Sequence, residues 1–192
     1  PLPLAGLILA LIGVFCWSSH PRHARLAYLM TIFLALNTPQ RQYETIVTLL
    51  DVGQGLAVVI ESGGKTMVYD TGDGYSGGFS QAEKTVLPYL HSRGVDVIDV
   101  LVVSHADRDH SGGLAFLVNR IPINRHLGFG GEPCRNGERW RWATSEFLVV
   151  NGSGQSELDT NDQSCGFLFT VGGYNLLALG DISADQEREL VR

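Results

Sequence analysis

Residues 97–113 read VIDVLVVSHADRDHSGG, and this stretch decides how the rest of the chain is interpreted. Its first half is a run of β-branched and other apolar residues, which is typical of a strand buried on both faces. The run leads into His-Ala-Asp-Arg-Asp-His at 105–110, which places four candidate metal ligands within six positions. Because open α/β sheets bind ligands at the carboxyl ends of their strands, we predict that this loop is the functional site.

The ligand types in this loop narrow the chemistry. Imidazole and carboxylate groups together suit Zn²⁺, Mn²⁺ or Fe²⁺, and the loop contains no cysteine that would single out zinc. The alternative is an acidic turn with solvated histidines. The chain has no P-loop, dinucleotide-binding fingerprint or G-x-S-x-G, so nucleotide-driven work and serine hydrolysis lack support.

The segments around this loop predict a layered α/β domain. Short apolar runs separated by glycine turns indicate an antiparallel meander, at residues 45–51, 56–61 and 65–70. A helix is predicted from a capping box at Ser80 and Glu83 to about Arg93, and a short helix after the loop. Later strands are predicted at residues 146–150, 164–170 and 174–179.

The first forty residues differ in composition from the rest. Two uncharged or nearly uncharged apolar runs, residues 2–17 and 26–36, flank a loop that carries Arg22 and Arg25. We predict two short transmembrane helices over residues 1–40, followed by a second domain over residues 41–192. A basic loop is typical of the cytoplasmic side, which would leave the second domain outside the cytoplasm. A buried helical hairpin and a signal peptide are the alternatives.

Charge also separates the two parts. The chain has 14 Lys and Arg and 20 Asp and Glu. Only two of these charges fall in the first forty residues, so residues 41–192 carry a net charge of −8. Such a surface does not attract nucleic acid as a whole. A local group of arginines with Trp140 and Trp142 between them is nevertheless a candidate for DNA contacts: Arg120, Arg125, Arg135, Arg139 and Arg141. The alternative is loop arginines with core tryptophans.

The motifs together resemble a known family. The order strand, Asp70-Thr71-Gly72, helix, strand, H-x-[HD]-x-D-H and Gly-Gly resembles the metallo-β-lactamase fold. Asp107 in place of the usual second histidine, with LDVGQG at 50–55, is similar to the extracytoplasmic domain of ComEC-family competence proteins, which form the inner-membrane channel for transforming DNA. The resemblance spans residues 46–192 and implies an α/β fold, an αββα sandwich truncated at its C-terminus.

Site residues follow from the resemblance by position. It implies that His105 and Asp107 bind one metal, that Asp109 and His110 bind a second, and that Asp181 bridges both. Catalysis would then rest on Asp109 with metal-bound water. Supporting roles fall to three further residues, of which Asp70 orients a ligand histidine: Asp70, Asn161 and Ser164. The fold normally adds a ligand histidine after the bridging carboxylate, so the second metal's ligand set would be incomplete within these residues.

The resemblance implies a phosphodiesterase or nuclease of a DNA-uptake channel. Its cofactors would be two divalent ions, Mn or Zn, and its partners single- or double-stranded DNA, the membrane and other DNA-uptake proteins. The domain would face the periplasmic side of the inner membrane, where Cys134 and Cys165 could form a disulfide. Two alternatives stay open: a non-catalytic DNA-binding or gating domain, and a small-molecule metallo-hydrolase.

Overall fold

The computed structural model describes residues 45–75, 78–152 and 161–190. All of them lie in the compact unit Tyr43–Arg192. Both apolar runs predicted as membrane helices, residues 2–17 and 26–36, lie outside the described residues, as does the boundary near residue 40. Across the described ranges, no helix is long and apolar enough to cross a membrane.

The first sheet has five strands in the order β1-β2-β3-β4-β5. The predicted antiparallel meander forms its first three strands, and β4 and β5 then add in parallel. Parallel neighbours need a long crossover, which the helices after β3 and β4 supply. The strands are β1 (Ile46–Leu49), β2 (Val58–Ser62), β3 (Lys65–Tyr69), β4 (Val100–Val103) and β5 (His126–Gly128).

The helices pack on one face of this sheet. A π-helical turn, Ala82–Val86, continues into α1 (Leu87–Ser92). The predicted cap at Ser80 is wrong: the helix begins after Gln81, and no side chain caps it. Two short helices, not predicted as a pair, follow β4, with the first inside the ligand loop: α2 (Arg108–Ser111) and α3 (Leu114–Val118).

The second sheet has four antiparallel strands in the order β6-β7-β8-β9. It comprises β6 (Arg139–Trp142), β7 (Ser145–Asn151), β8 (Gly166–Val171) and β9 (Tyr174–Ala178). The last pair is joined at Gly172 and Gly173, as predicted. The helix α4 (Ala184–Leu190) follows and buries no residue among those described.

Alternating side chains on the first sheet divide the core into two layers. Ile60 packs with Phe147 and Phe167 between the sheets, whereas its neighbour Val59 packs with Leu90 under the helices. Each such side chain contributes about 1.5–3 kcal/mol when it leaves water. The helix, sheet and sheet layers confirm the predicted α/β class.

A disulfide joins the second sheet to the segment that precedes it. Cys134 and Cys165 are bonded, with Cα atoms 5.8 Å apart, inside the core between the sheets. The backbone N–H of Cys165 donates to the carbonyl of Ser104, 2.8 Å away, at the end of β4. The covalent link therefore lies next to the loop that carries the candidate ligands.

Candidate metal centre

The parallel strands β3 and β4 end at the same edge of the first sheet. Asp70 follows β3, and Ser104 and His105 follow β4. The N–H of Asp70 donates to the carbonyl of Val102, 2.8 Å away, which fixes one strand end against the other. Asp181 reaches the same place from the second sheet, three residues after β9. The site is therefore built where the ends of both sheets meet.

Three side chains form a compact group of ligand atoms. One ligand atom each from His105, His110 and Asp181 lies within 4.8 Å of the others. His110 Nε2 is 3.2 Å from Asp181 Oδ1, and the two imidazole rings have their centroids 4.3 Å apart. Both histidines are buried, while the Asp181 side chain is 47% exposed. The group thus opens to solvent on its carboxylate side.

The two other predicted ligands flank this group. Asp107 Oδ2 lies 3.5 Å from His105 Nε2, and Asp109 Oδ2 lies 3.9 Å from His110 Nε2. Both carboxylates are about half exposed. The structure therefore brings all five residues of the predicted ligand set together. Each histidine has its own neighbouring aspartate, in the pairs that the resemblance implies.

Asp70 and Ser104 contact the Nδ1 atoms of both imidazole rings, on the side away from the ligand group. Asp70 is fully buried, and its Oδ1 accepts the N–H of Ser104 at 2.6 Å. Its Oδ2 accepts the Ser104 hydroxyl at 2.8 Å and lies 2.8 Å from His110 Nδ1. Ser104 Oγ is also 2.9 Å from His105 Nδ1.

These bonds fix the tautomers. The Ser104 hydroxyl has one proton, which it donates to Asp70, so it can only accept from His105. Asp70 likewise accepts from His110, which places a proton on Nδ1 of each ring and leaves each Nε2 as a lone pair. Such partners commonly orient metal-binding histidines. Ser104 was not among the predicted site residues, although a hydroxyl between a buried strand and the first ligand was a usable signal.

The residues present fit a divalent cation. Nε2 of His105 is buried and has no hydrogen-bond partner among the described residues. A buried polar atom without a partner is costly unless a ligand satisfies it. Together with His110 and three carboxylates, it supplies the nitrogen and oxygen donors that Zn²⁺ and Mn²⁺ take in proteins.

The electrostatics of the group favour positive charge. Burial raises the pKa of Asp70, against the hydrogen bonds from His110 and Ser104, which lower it. Burial acts to lower the pKa of His110, but the pKa is raised overall by Asp70 and by the nearby carboxylates. A proton and a cation therefore compete for Nε2 of His110, and cation binding is expected to release protons.

Gly55 and Thr71 lie against the backbone of the ligand loop. Gly55, in the DVGQG segment, has φ +113°, and a Cβ there would lie 2.0 Å from the carbonyl oxygen of Asp109, so only glycine fits. The carbonyl of His110 accepts both the N–H and the hydroxyl of Thr71, at 2.8 and 2.9 Å. The two sequence motifs thus fix the backbone at the second pair of candidate ligands.

The turn that carries Asp181 is supported by the predicted N-x-x-S segment. Ser164 is fully buried, and its Oγ lies 3.4 Å from the N–H of Asp181. Gly180, at φ +59°, passes so close that a Cβ would meet both Ser164 and Ser104 at under 3 Å. Asn161 contributes its carbonyl, which accepts the N–H of Ser164 at 2.9 Å.

The arginines predicted to contact DNA fall into two groups. Arg125 pairs with Glu132 and Glu138, and Arg141 pairs with Glu146. The remaining three are exposed and form no ion pair with a described residue: Arg120, Arg135 and Arg139.

The tryptophans between the arginines do not offer free faces for stacking. Trp142 is buried, and Trp140 stacks on Phe147 at 5.5 Å between centroids. The alternative of core tryptophans is therefore confirmed for Trp142, and Trp140 is half-buried and packs against the same core. The arginines of β6 point outward because side chains alternate along a strand.

Comparison with solved structures shows a shared fold. A metallo-beta-lactamase with a HARLDQ motif from Cronobacter sakazakii aligns with a TM-score of 0.50 at 15% identity, covering 68% of this chain and 57% of that one.

Curated relatives are closer in sequence. Recombination protein 2 of Haemophilus influenzae is 34% identical over 175 residues, 87% of this chain, and Competence protein ComA of Neisseria gonorrhoeae is 33% identical over 156 residues, 77% of this chain. The chain spans 21% of the length of each. These identities confirm the predicted resemblance to competence proteins. The family described as the Metallo-beta-lactamase superfamily matches residues 50–192, and the chain belongs to that superfamily.

Proposed function

We propose that this domain is a divalent-metal-dependent phosphodiesterase that hydrolyses DNA during its uptake. The observation that carries the proposal is the convergence of His105, His110 and Asp181 within 4.8 Å, with two further carboxylates beside them. The names of the two relatives, one a recombination protein and one a competence protein, support DNA as the substrate class. Both the reaction and the use of two Mn²⁺ or Zn²⁺ ions are proposals for this chain.

The ligand set favours a phosphate substrate. Of the five candidate ligands, three are carboxylates, and hard oxygen donors suit cations that bind phosphate oxygens. Divalent cations held here would act as Lewis acids and make a nucleophile available near neutral pH. In this site Asp107 takes the position of a histidine in the usual family motif, which moves the donor set toward oxygen and toward Mn²⁺.

The chain's own residues would orient the ligand side chains and transfer the protons of the reaction. Asp70 and Ser104 keep both Nε2 atoms directed toward the ligand group. Asp109, whose side chain is 42% exposed, is the carboxylate we assign as base for the attacking water. The water oxygen would bond to phosphorus, the phosphorus–oxygen bond to the leaving sugar would break, and a proton would pass to the leaving oxygen.

DNA would be attracted by positive charge close to the reacting phosphate and not by the net charge of the domain. Residues 41–192 carry a net charge of −8, so the domain as a whole repels a polyanion. Two divalent ions would add about four positive charges at the reacting phosphate, and bound ions dominate the field in such sites. Arg120, Arg135 and Arg139 are the predicted DNA contacts that no described carboxylate neutralises.

We also propose that the domain faces the extracytoplasmic side of the inner membrane, beside other DNA-uptake proteins. The Cys134–Cys165 disulfide supports this side, because disulfides persist in oxidising compartments. Arg22 and Arg25, which lie in the sequence between the two apolar runs, support the same topology.

The test is a nuclease assay on the full chain. We expect linear DNA to be cleaved with Mn²⁺ or Zn²⁺ and left intact with EDTA. Asp109→Asn should lower the rate by about 100-fold or more, the scale of a lost general base. Asp96→Asn is the matched control, because Asp96 is an exposed aspartate outside the ligand loop.

A different result would reassign the domain. If the metal-loaded chain binds DNA but never cleaves it, and Asp109→Asn still supports transformation, the domain is a binding or gating module. Cleavage of a small phosphoester or lactam, with DNA left intact, would indicate a small-molecule hydrolase.

A further inference from the structure

Two cavities border the turn between α2 and α3. The first, about 460 Å³, is lined by Tyr75, Ser80 and Arg120 among others, and the second, about 400 Å³, by His126 and Phe129 among others. Both are also lined by Gly112 and Ala115, so they lie on the two sides of the segment that contains these residues, which we call the α2–α3 ridge. The ridge begins two residues after the candidate ligand His110.

Each cavity contains a residue whose buried polar atom has no hydrogen-bond partner. Four such side-chain atoms occur among the described residues: Ser80 Oγ, His105 Nε2, His126 Nε2 and Trp140 Nε1. One belongs to the candidate metal centre, and those of Ser80 and His126 belong to residues that line the two cavities. An unsatisfied buried atom in a native fold calls for a ligand or another reason. The Ser80 hydroxyl does not serve as a helix cap, so capping does not account for its burial.

Each cavity also has an exposed aromatic ring at its border. Tyr75 is 52% and Phe129 is 45% exposed, both high values for large aromatic side chains. Arg120 brings positive charge to the first cavity and lies 5.4 Å from the Phe116 ring centroid, while the Arg108 guanidinium, which pairs with Asp73, lies 4.3 Å from that of Tyr75. Aromatic faces beside arginines are the usual platform for unstacked bases.

The position beside the ligand loop connects the cavities to the proposed reaction. Arg108 stands between Asp107 and Asp109 in the chain, and its Nε donates to Asp73 at 2.8 Å. The Tyr75 ring therefore lies against the side chain of a residue that stands between two candidate ligands in the chain. A strand whose phosphate lies at the metal centre has flanking nucleotides within reach of this ridge.

We infer, resting on the proposed nuclease function, that a single-stranded nucleic acid crosses the α2–α3 ridge and places one unpaired base in each cavity. Tyr75 and Phe129 stack on the bases. Ser80 Oγ and His126 Nε2, which are buried before binding, turn toward the cavities and bond to the base edges. Paired bases of a duplex cannot enter, so the ridge selects for single strands.

The test measures the binding of two fluorescein-labelled 12-mers to the full chain with Mn²⁺ by fluorescence anisotropy. One 12-mer is oligo(dT) and the other is a fully abasic strand, and both have the same phosphorothioate linkages. We expect the wild-type chain to bind oligo(dT) about tenfold more tightly than the abasic strand, the scale of base–aromatic stacking. Tyr75→Ala with Phe129→Ala should remove that preference. Tyr174→Ala, which removes an 82% exposed tyrosine from the second sheet, should leave it unchanged.

The outcomes separate this inference from the function it rests on. Equal wild-type binding of both strands overturns the base subsites and leaves phosphate binding, and the proposed nuclease, intact. No binding of either strand, with no cleavage, overturns both. Circular dichroism checks that the double variant folds. Crosslinking of the wild-type chain to a 4-thiothymidine 12-mer needs no variant, and labelling confined to peptides without Tyr75 or Phe129 would also overturn the inference.

Discussion

The hydroxyl oxygen of Ser104 lies 2.9 Å from Nδ1 of His105, and the same hydroxyl donates to the buried carboxylate of Asp70. The Ser104 side chain thus links the Asp70 carboxylate to the ring of His105, and Nε2 of that ring is free for a cation. The arrangement needs the serine to be the residue directly after β4, because only there do its backbone N–H and its hydroxyl both reach Asp70.

Ser104→Ala should loosen the orientation of His105 without removing any candidate ligand. Losing a partner of this kind costs roughly 10- to 100-fold in metal affinity. Calorimetric titration with Mn²⁺ or Zn²⁺ measures that loss. Nitrogen-15 NMR of the histidine rings should show the His105 protons shared between Nδ1 and Nε2 in the variant. Ser92→Ala, at the exposed end of α1, is the control. An unchanged His105 spectrum in Ser104→Ala would disprove the positioning role.

Asp181 should be needed for cation binding more than for folding. Its side chain is 47% exposed, so Asp181→Asn should change the unfolding temperature little. It removes a carboxylate 3.2 Å from His110 Nε2 and should weaken Mn²⁺ binding by at least about tenfold, or 1.4 kcal/mol. Calorimetry of the variant beside Asp96→Asn gives the comparison. Equal affinities in the two variants would exclude Asp181 from the ligand set.

Local sequence patterns predicted the part of the fold that holds the ligand loop. The alternating and continuous apolar runs predicted the meander and the buried strand β4, because a strand buried on one face alternates apolar and polar residues and a strand buried on both faces is continuously apolar. Four candidate ligands at the end of that strand then indicated the candidate site. The place of Asp181 followed only from the family resemblance, since nothing local shows that β9 ends beside β4.

The missed elements have physical reasons. Arg139-Trp140-Arg141-Trp142 is a period of two that puts tryptophans inward and arginines outward on β6, and the sequence interpretation left open whether the tryptophans contact nucleic acid or the core. Ser80 matched a capping box, but it pairs with Gly74 in an isolated bridge, and the helix starts two residues later with a π-helical turn. Tertiary pairing overrode the local signal at Ser80, whereas the alternation along β6 is itself a local signal for a strand.

Removing the disulfide should destabilise the domain. The bond closes a sequence separation of 31 residues, for which chain entropy gives about 3–4 kcal/mol of stability. The double variant Cys134→Ser, Cys165→Ser should therefore unfold at a clearly lower urea concentration than the wild-type chain. Cys16→Ser, which leaves the bonded pair intact, is the matched control. A midpoint that does not move on reduction would show that the bond contributes no stability.

His126 should make stability depend on pH in a defined direction. Burial lowers the pKa of His126 from its ordinary value of 6.5, against a backbone hydrogen bond with Phe129 that raises it. The folded state therefore favours the neutral ring. The stability from this preference is fully present above pH 6.5 and is lost as the pH falls through the lowered folded pKa. His126→Gln cannot titrate, so the gap in unfolding temperature between wild type and variant should narrow as the pH falls from 7 to 5. Scanning fluorimetry in EDTA measures the gap. A gap that stays constant over this range would mean that folding leaves the titration of His126 unchanged.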